Sequence, residues 1–356
     1  MKRNMSLFYF AILISALFVS SGALAKPRFF KADNSHFKYV GRVDFTDPQK
    51  PRFWSPGVYI TTKFKGPSCR LLINDEELFG KTHNYIELIV DGKPSRIQTT
   101  GKTNNIQIAK HLGKGWHTLL ICKDTESGMG YLEFVGLVCE QITSPGQPKR
   151  MIEYIGDSIT AGAGVDASEV ACGKGEWYDQ HNAYLSYGAR TSRALNAQWQ
   201  LTAVAGIGLV HSCCNMDILL PQVYDKVYLR NDSLKYDFSQ YQPNVVTICL
   251  GQNDGPQDSV KFCSEYVRLI DTVRSKYPQT DIVCLSSPMA NAELTAVLHR
   301  YLTSIVQFVN ARGDNRVSKF SFSRSFNSGC DGHPDANEHA IIAGELTAYL
   351  KKLKGW

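Results

Sequence analysis

The chain has 356 residues, room for two domains, and its 43% hydrophobic and 20% charged content describe an ordinary globular protein. A net charge of +6 is spread along it, falling to +4 once Lys2 and Arg3 are removed, which argues against nucleic acid as a partner. The clustered Lys351, Lys352 and Lys354 fall at a predicted helix end, where they complement the helix dipole.

Residues 1–25 read as a secretory signal peptide. Lys2 and Arg3 form a basic start, Leu7 to Val19 is nearly all apolar, and Ala23-Leu24-Ala25 is a small-x-small cleavage site. The apolar run is short for a membrane span, so the expectation is a protein cleaved after Ala25, exported to the periplasm or the medium, with no membrane association afterwards. Ten cysteines in an exported chain invite disulfides. Cys249 and Cys284 lie in apolar strand runs and read as buried hydrophobes. The adjacent Cys213 and Cys214 are candidates to pair elsewhere, for instance with Cys172. Without a CxxC pair or metal-ligand spacing, neither a metal nor a cofactor is expected.

Residues 26–142 read as all-β. Strand runs at 58–64, 69–73, 85–90, 117–122 and 131–138 alternate with turn signals such as Gly66-Pro67, Asn74-Asp75 and Asp91-Gly92. That spacing predicts a β-sandwich of jelly-roll type. Residues 143–149, Thr-Ser-Pro-Gly-Gln-Pro-Lys, form a linker by composition. From 150 to 356 the pattern alternates. Strand runs at 151–155, 201–205, 245–250, 282–286 and 316–322 are separated by helical stretches, clearest at 260–276 and 292–311. This predicts a three-layer α/β/α domain on a parallel sheet of about five strands. A last helix is announced by an Asp335-x-x-Glu338 capping box, with Ile342, Leu346, Leu350 and Leu353 on one face.

Four elements follow predicted strand ends. Gly156-Asp157-Ser158 places a hydroxyl at the first strand's carboxyl end, where open α/β sheets carry chemistry. Alone it is a common strand-to-helix turn, and it is not the Gly-x-Ser-x-Gly elbow. Gly206, after the second strand, lets backbone approach a ligand and donate its N–H. Asn253, in Gly251-Gln252-Asn253-Asp254, offers a side-chain amide to an oxyanion, or caps the next helix. His333, before Pro334 and the last helix, is a candidate base, with Asp331 a candidate to orient it. Each piece is ordinary alone; together, at one sheet edge, they supply a nucleophile, a base and oxyanion donors.

On these four blocks the region 150–356 resembles the Ser-Gly-Asn-His (SGNH, or GDSL-like) hydrolases. The preceding Gly41-Arg42-Val43-Asp44-Phe45, Trp54-Ser55-Pro56-Gly57-Val58-Tyr59, Phe64-Lys65-Gly66 and Asp91-Gly92 resemble the jelly-roll domain of carbohydrate esterase family 2. The resemblance implies a serine esterase that removes O-acetyl groups from xylan or glucomannan, including the sugar 6-position, without a metal. It implies Ser158 as nucleophile and His333 as base, with the Ser158 N–H, the Gly206 N–H and the Asn253 side chain as oxyanion donors. The superfamily's acid lies three residues before the histidine, where this chain has Cys330. Asp331 lies two before, which leaves either a triad through Asp331 or a Ser-His dyad steadied by a backbone carbonyl.

After the nucleophile, Trp177 and Tyr178 are candidates to stack on a sugar, against the alternative of an aromatic lid packed on the sheet edge. His181, His211 and His339 read as structural, and Trp54 as core or domain interface. The expected partner is an acetylated polysaccharide or oligosaccharide, and the expected state a monomer. Two rivals remain: an esterase for another exported ester, such as peptidoglycan acetyl groups or lipid esters, and an inactive carbohydrate-binding protein.

Overall fold

A computed structural model describes residues 26–229 and 234–356. The expected signal peptide lies outside the described residues.

The N-terminal part is two antiparallel sheets packed face to face. One runs, edge to edge, Arg28–Lys31, Leu132–Cys139, Cys69–Asp75 and Thr103–Ala109, with Arg52–Phe53 also paired to Leu132–Cys139. The other runs Gln141–Thr143, Tyr59–Lys65, Trp116–Lys123, Tyr85–Val90 and Lys93–Gln98, with Lys38–Val40 paired to Tyr59–Lys65. Period-2 patterning builds the shared core: Ile60 and Phe64 on one sheet face Leu71, Ile73, Phe134 and Leu137 on the other, all essentially inaccessible. Strands such as Lys93–Gln98 escape a hydrophobicity reading because this one is an exposed edge, polar and containing Pro94.

The C-terminal part is a five-stranded, all-parallel sheet in the order Ala197–Ala203, Arg150–Gly156, Val245–Cys249, Asp281–Leu285, Val317–Phe320. Successive residues of one strand serve opposite layers. Ile155, Ile248 and Cys284 pack under the helices Ser259–Lys276 and Ala292–Ala311. Tyr154, Cys249 and Leu285 pack under Tyr187–Ala194 and Ala336–Lys354. Both faces are covered, so the central strands Val245–Cys249 and Asp281–Leu285 are almost wholly apolar. Cys249 and Cys284 are buried free thiols within them, as their setting predicts.

Two local expectations are corrected. The second strand occupies Ala197–Ala203, not 201–205, because its polar start is buried against partners that the local sequence does not reveal. Gln198 donates to the Pro148 carbonyl, Trp199 Nε1 to the Gly57 carbonyl, and Gln200 to Glu153. Only half of the final helix's capping box forms. Asp335 accepts the Glu338 N–H at 2.8 Å, but the Glu338 carboxylate turns to Ser328 and Arg324. Lys354 then pairs with Asp281 near the helix end.

The two parts meet over a seam that combines apolar packing of Val40 and Tyr59 with Ile152 and Trp199 and a set of polar contacts. Arg42 reaches from the jelly roll to the Tyr224 carbonyl (2.7 Å), the Lys226 carbonyl (2.6 Å) and the Glu153 carboxylate (3.3 Å). Trp54 stacks on Tyr228, an interface position as expected. Arg96 donates to the carbonyls of Asp179 (2.8 Å) and His181 (2.7 Å), and Tyr85 to the Asp179 carboxylate (3.0 Å). The β domain thereby braces the loop that follows Ser158.

Candidate active site

Parallel register aligns the strand ends. Gly156 pairs with Ala203 and Cys249, and Cys249 with Leu285, so the loops carrying Ser158, Gly206 and Asn253 leave the sheet at one edge. The first strand turns into a single-turn helix, Ser158–Ala161, whose N-cap Asp157 accepts the Ile159 N–H at 3.0 Å. Ser158 is its first residue, so its N–H is one of the helix's orphan donors and points out of the positive end.

His333 arrives on a separate loop that is tied to the loop following Ser158. The Cys330 N–H donates to the Gly164 carbonyl at 3.0 Å. A Cβ on Gly164 would stand 2.5 Å from the Cys330 oxygen, so only glycine lets the two loops close this tightly. Cys330 is also bonded to Cys172. This corrects the expected pairing of Cys172 with Cys213 or Cys214, which instead bond to each other. The fold brings Cys172 and Cys330 to a Cα separation of 5.1 Å, across 158 residues of sequence.

His333 Nε2 lies 2.9 Å from Ser158 Oγ. Burial holds the imidazole below its ordinary pKa, opposed by the backbone carbonyls of Cys330 and Asp331 and by the Asp331 charge. A neutral imidazole beside the hydroxyl is the form a general base requires. Asp331 itself is exposed, in a left-handed conformation (φ 52°), and no hydrogen bond joins its carboxylate to the ring among the described residues. Its carboxylate acts on the ring through charge, while backbone carbonyls face the ring.

Gly206 also has a positive φ, 84°, and packs against Cys213, whose N–H donates to the Gly206 carbonyl at 2.9 Å. The loop beyond it is gathered by a residue that the sequence reading did not single out for a role. Asp254, 3% exposed, accepts the N–H groups of Leu209, Val210 and His211 at 2.7–3.0 Å. Its neighbour Asn253 donates from Nδ2 to the Ile207 carbonyl at 2.9 Å, with the Asp157 carboxyl at 3.3 Å. Burial, reinforced by the nearby Asp254, pushes the Asp157 carboxyl up to about 7. Asp254 and Asn253 thus grip the glycine loop by its backbone. The Asn-Asp dipeptide marked the place, but the N–H cluster it serves exists only after folding.

Ser158, Gly206, Asn253, Asp331 and His333 all line one cleft of about 740 Å³. Trp177 lines it too, with nearly half its surface exposed. Tyr178 does not. It is buried with Tyr85 and Met129 at the domain seam, so the expectation that it meets substrate is corrected: packing took the apolar ring. Met216, Ile218 and Tyr228 add apolar lining that the motifs did not signal. His339 is structural as expected, its Nδ1 accepting the Tyr187 N–H at 3.0 Å. His181, by contrast, lines the cleft.

Comparison with known proteins agrees with this arrangement. Residues 39–147 match the carbohydrate esterase 2 N-terminal model, and residues 154–318 that of the GDSL-like Lipase/Acylhydrolase family. The chain is 32% identical over 338 residues to the cellulase/esterase CelE of Acetivibrio thermocellus, an alignment that takes in 91% of this chain and 40% of that protein. It is 27% identical to an acetylxylan esterase / glucomannan deacetylase of Cellvibrio japonicus, over 98% of this chain and 99% of that one. Among solved structures, a family two carbohydrate esterase from Clostridium thermocellum in complex with cellohexaose superposes with a TM-score of 0.81 at 32% identity, covering 90% of this chain and 99% of that one. One from Cellvibrio japonicus gives 0.84 at 26%, covering 93% and 98%.

Proposed function

The chain belongs to carbohydrate esterase family 2 and is a carboxylic ester hydrolase, and on that premise we propose that it is an exported serine esterase removing O-acetyl groups from plant polysaccharides such as xylan and glucomannan. The observation that carries the mechanism is the 2.9 Å contact between His333 Nε2 and Ser158 Oγ beside Gly206 and Asn253. Ser158 Oγ attacks the acetyl carbonyl as His333 takes its proton. Negative charge gathers on the carbonyl oxygen beside the Ser158 N–H and the Gly206 N–H, and the Asn253 amide joins them by exchanging its 3.3 Å contact with the Asp157 carboxyl for the oxyanion. Collapse expels the sugar oxygen, which takes the proton from His333, and leaves Ser158 acetylated. Water, deprotonated by His333, then releases acetate and restores the serine.

Backbone carbonyls, helped by the Asp331 charge, hold the imidazole in this reading, so the working unit is a Ser158–His333 dyad. Trp177 offers an exposed aromatic face to a pyranose, and the jelly roll acts as a brace for the cleft. Residues 1–25 act as the export signal, and the mature protein works as a monomer.

Acetate release from acetylated glucomannan and xylan by the wild type and by Ser158→Ala tests the proposal. Release that vanishes in the variant is expected. No release from either polymer or from 4-nitrophenyl acetate overturns the esterase reading. Activity on the small ester alone keeps the mechanism and discards the substrate.

A further inference from the structure

Gln252 and Asn253 are neighbours in the loop after Val245–Cys249, yet their two amides diverge. Asn253 reaches toward Asp157, which follows the adjoining strand Arg150–Gly156. Gln252 reaches the other way, to Ser287, just past Asp281–Leu285, the strand on the opposite flank. Both residues line the cleft that holds Ser158 and His333, and Met289, from the Ser287 loop, lines it with them.

Ser287 decides which end of the Gln252 amide faces the cleft. Its buried hydroxyl accepts the Met289 N–H at 3.2 Å and lies 2.5 Å from Gln252 Oε1. Among the described residues the hydroxyl proton has no other acceptor, so Oε1 takes it. The reversed amide would leave that buried proton unpaired, which is costly. Nε2 is thereby turned away from Ser287 with two N–H donors. It makes no hydrogen bond among the described residues, and it keeps accessible surface on a half-buried side chain. A donor fixed in direction, accessible and unpaired is preorganised for an acceptor that a ligand brings.

An acetylated sugar offers three kinds of group to this cleft. Its carbonyl oxygen goes to the Ser158, Gly206 and Asn253 donors, and its methyl group accepts no hydrogen bond. The oxygens of the sugar remain. We infer that Gln252 is a specificity-determining residue whose Nε2 donates to an oxygen of the sugar carrying the acetyl group, and that Ser287 is a positioning residue that holds the amide in that direction. The inference rests on the carbohydrate reading above. A nitrophenyl ester presents no sugar oxygen to Gln252, so the contact separates a sugar acetate from a generic acetate ester.

The test measures kcat and KM on acetylated glucomannan, acetylated xylan and 4-nitrophenyl acetate for wild type, Gln252→Met and Ser287→Ala, with a Tm for each. Methionine keeps the length of the side chain and removes both donors; Ser287→Ala keeps the donors and frees the amide to turn. The quantity read is kcat/KM on polymer divided by kcat/KM on the small ester, which cancels any loss shared through the neighbouring Asn253. In Gln252→Met this ratio is expected to fall roughly three- to tenfold on at least one polymer, mostly through polymer KM, the loss expected of one hydrogen bond made alike in bound substrate and transition state. Ser287→Ala is expected to lower the ratio in the same direction and again through KM, a split that lost stability alone does not produce. A fall of less than about threefold on both polymers in Gln252→Met overturns the inference, and so does an equal loss on polymer and small ester. An unchanged ratio in Ser287→Ala removes the positioning role of Ser287. If Gln252→Met does not fold, Gln252→Ala decides by the same ratio. Wild-type enzyme active on the small ester but on neither polymer removes the carbohydrate reading and this inference with it, whereas polymer activity with an unmoved ratio removes the inference alone.

Discussion

Replacing Asp254 by alanine separates the grip on the glycine loop from the chemistry. The carboxylate is buried and accepts three consecutive N–H groups, from Leu209, Val210 and His211, the first of them on both of its oxygens. Alanine removes every acceptor at once. Leu209 is buried and Val210 half-buried, so two donors lose their partner out of reach of bulk water, while His211 is exposed and can hydrate. At about 1–3 kcal/mol for each unpaired buried donor, the intact loop is destabilised by roughly 2–6 kcal/mol. Part of that is relieved by the loop moving, and Gly206 moves with it. Misplacing one oxyanion donor costs on the order of 10²–10³ in kcat. The expected outcome for Asp254→Ala is a kcat on 4-nitrophenyl acetate down by about two orders of magnitude, and a Tm several degrees lower. Asp254→Asn keeps one oxygen acceptor and is expected to lie between. The assay is steady-state hydrolysis beside thermal unfolding. A variant with wild-type kcat and wild-type Tm would refute the reasoning, and a lowered Tm with unchanged kcat would confine Asp254 to stability.

Other outcomes follow from the same geometry. Asp331→Ala is expected to cost less than about tenfold in kcat/KM, because carbonyls face the ring; a loss near 10⁴, which disabling a buried triad acid produces, would restore Asp331 to a triad. His333 titrates below its ordinary 6.5, so kcat/KM is expected to hold at neutral pH and fall on an acid limb whose midpoint lies below 6.5; a midpoint at or above 6.5 would contradict the burial argument. Opening the Cys172–Cys330 bridge with Cys172→Ser frees the loop that carries His333. A Tm loss equivalent to roughly 2–4 kcal/mol is expected, with kcat falling alongside, and unchanged melting would show the bridge to be dispensable. Arg42→Ala leaves Glu153 buried without its cationic partner, at about 3–5 kcal/mol, measurable by urea unfolding; an unchanged midpoint would mean that water takes the guanidinium's place.

Much of this molecule was legible before folding. Period-2 patterning announced the sandwich core, and strand-helix alternation announced the parallel sheet, because burial on one or both faces writes itself directly into residue type. Ser158, Gly206, Asn253 and His333 were legible for a different reason. Each follows a predicted strand or precedes a predicted helix, so topology alone sends them to one edge. Polar pieces were harder. The start of Ala197–Ala203 looks like loop until Glu153, Pro148 and Gly57 are brought beside it.

Relations across long sequence separations belonged to the tertiary structure alone. Nothing local distinguishes Trp177, which meets the cleft, from Tyr178, which meets Tyr85. Nothing local tells Cys172 to choose Cys330, or tells Asp254 that three N–H groups converge on it. Pattern reports whether a side chain is buried. Which partner it finds there depends on which loops the sheet register lays side by side, and that is decided only when the whole chain packs.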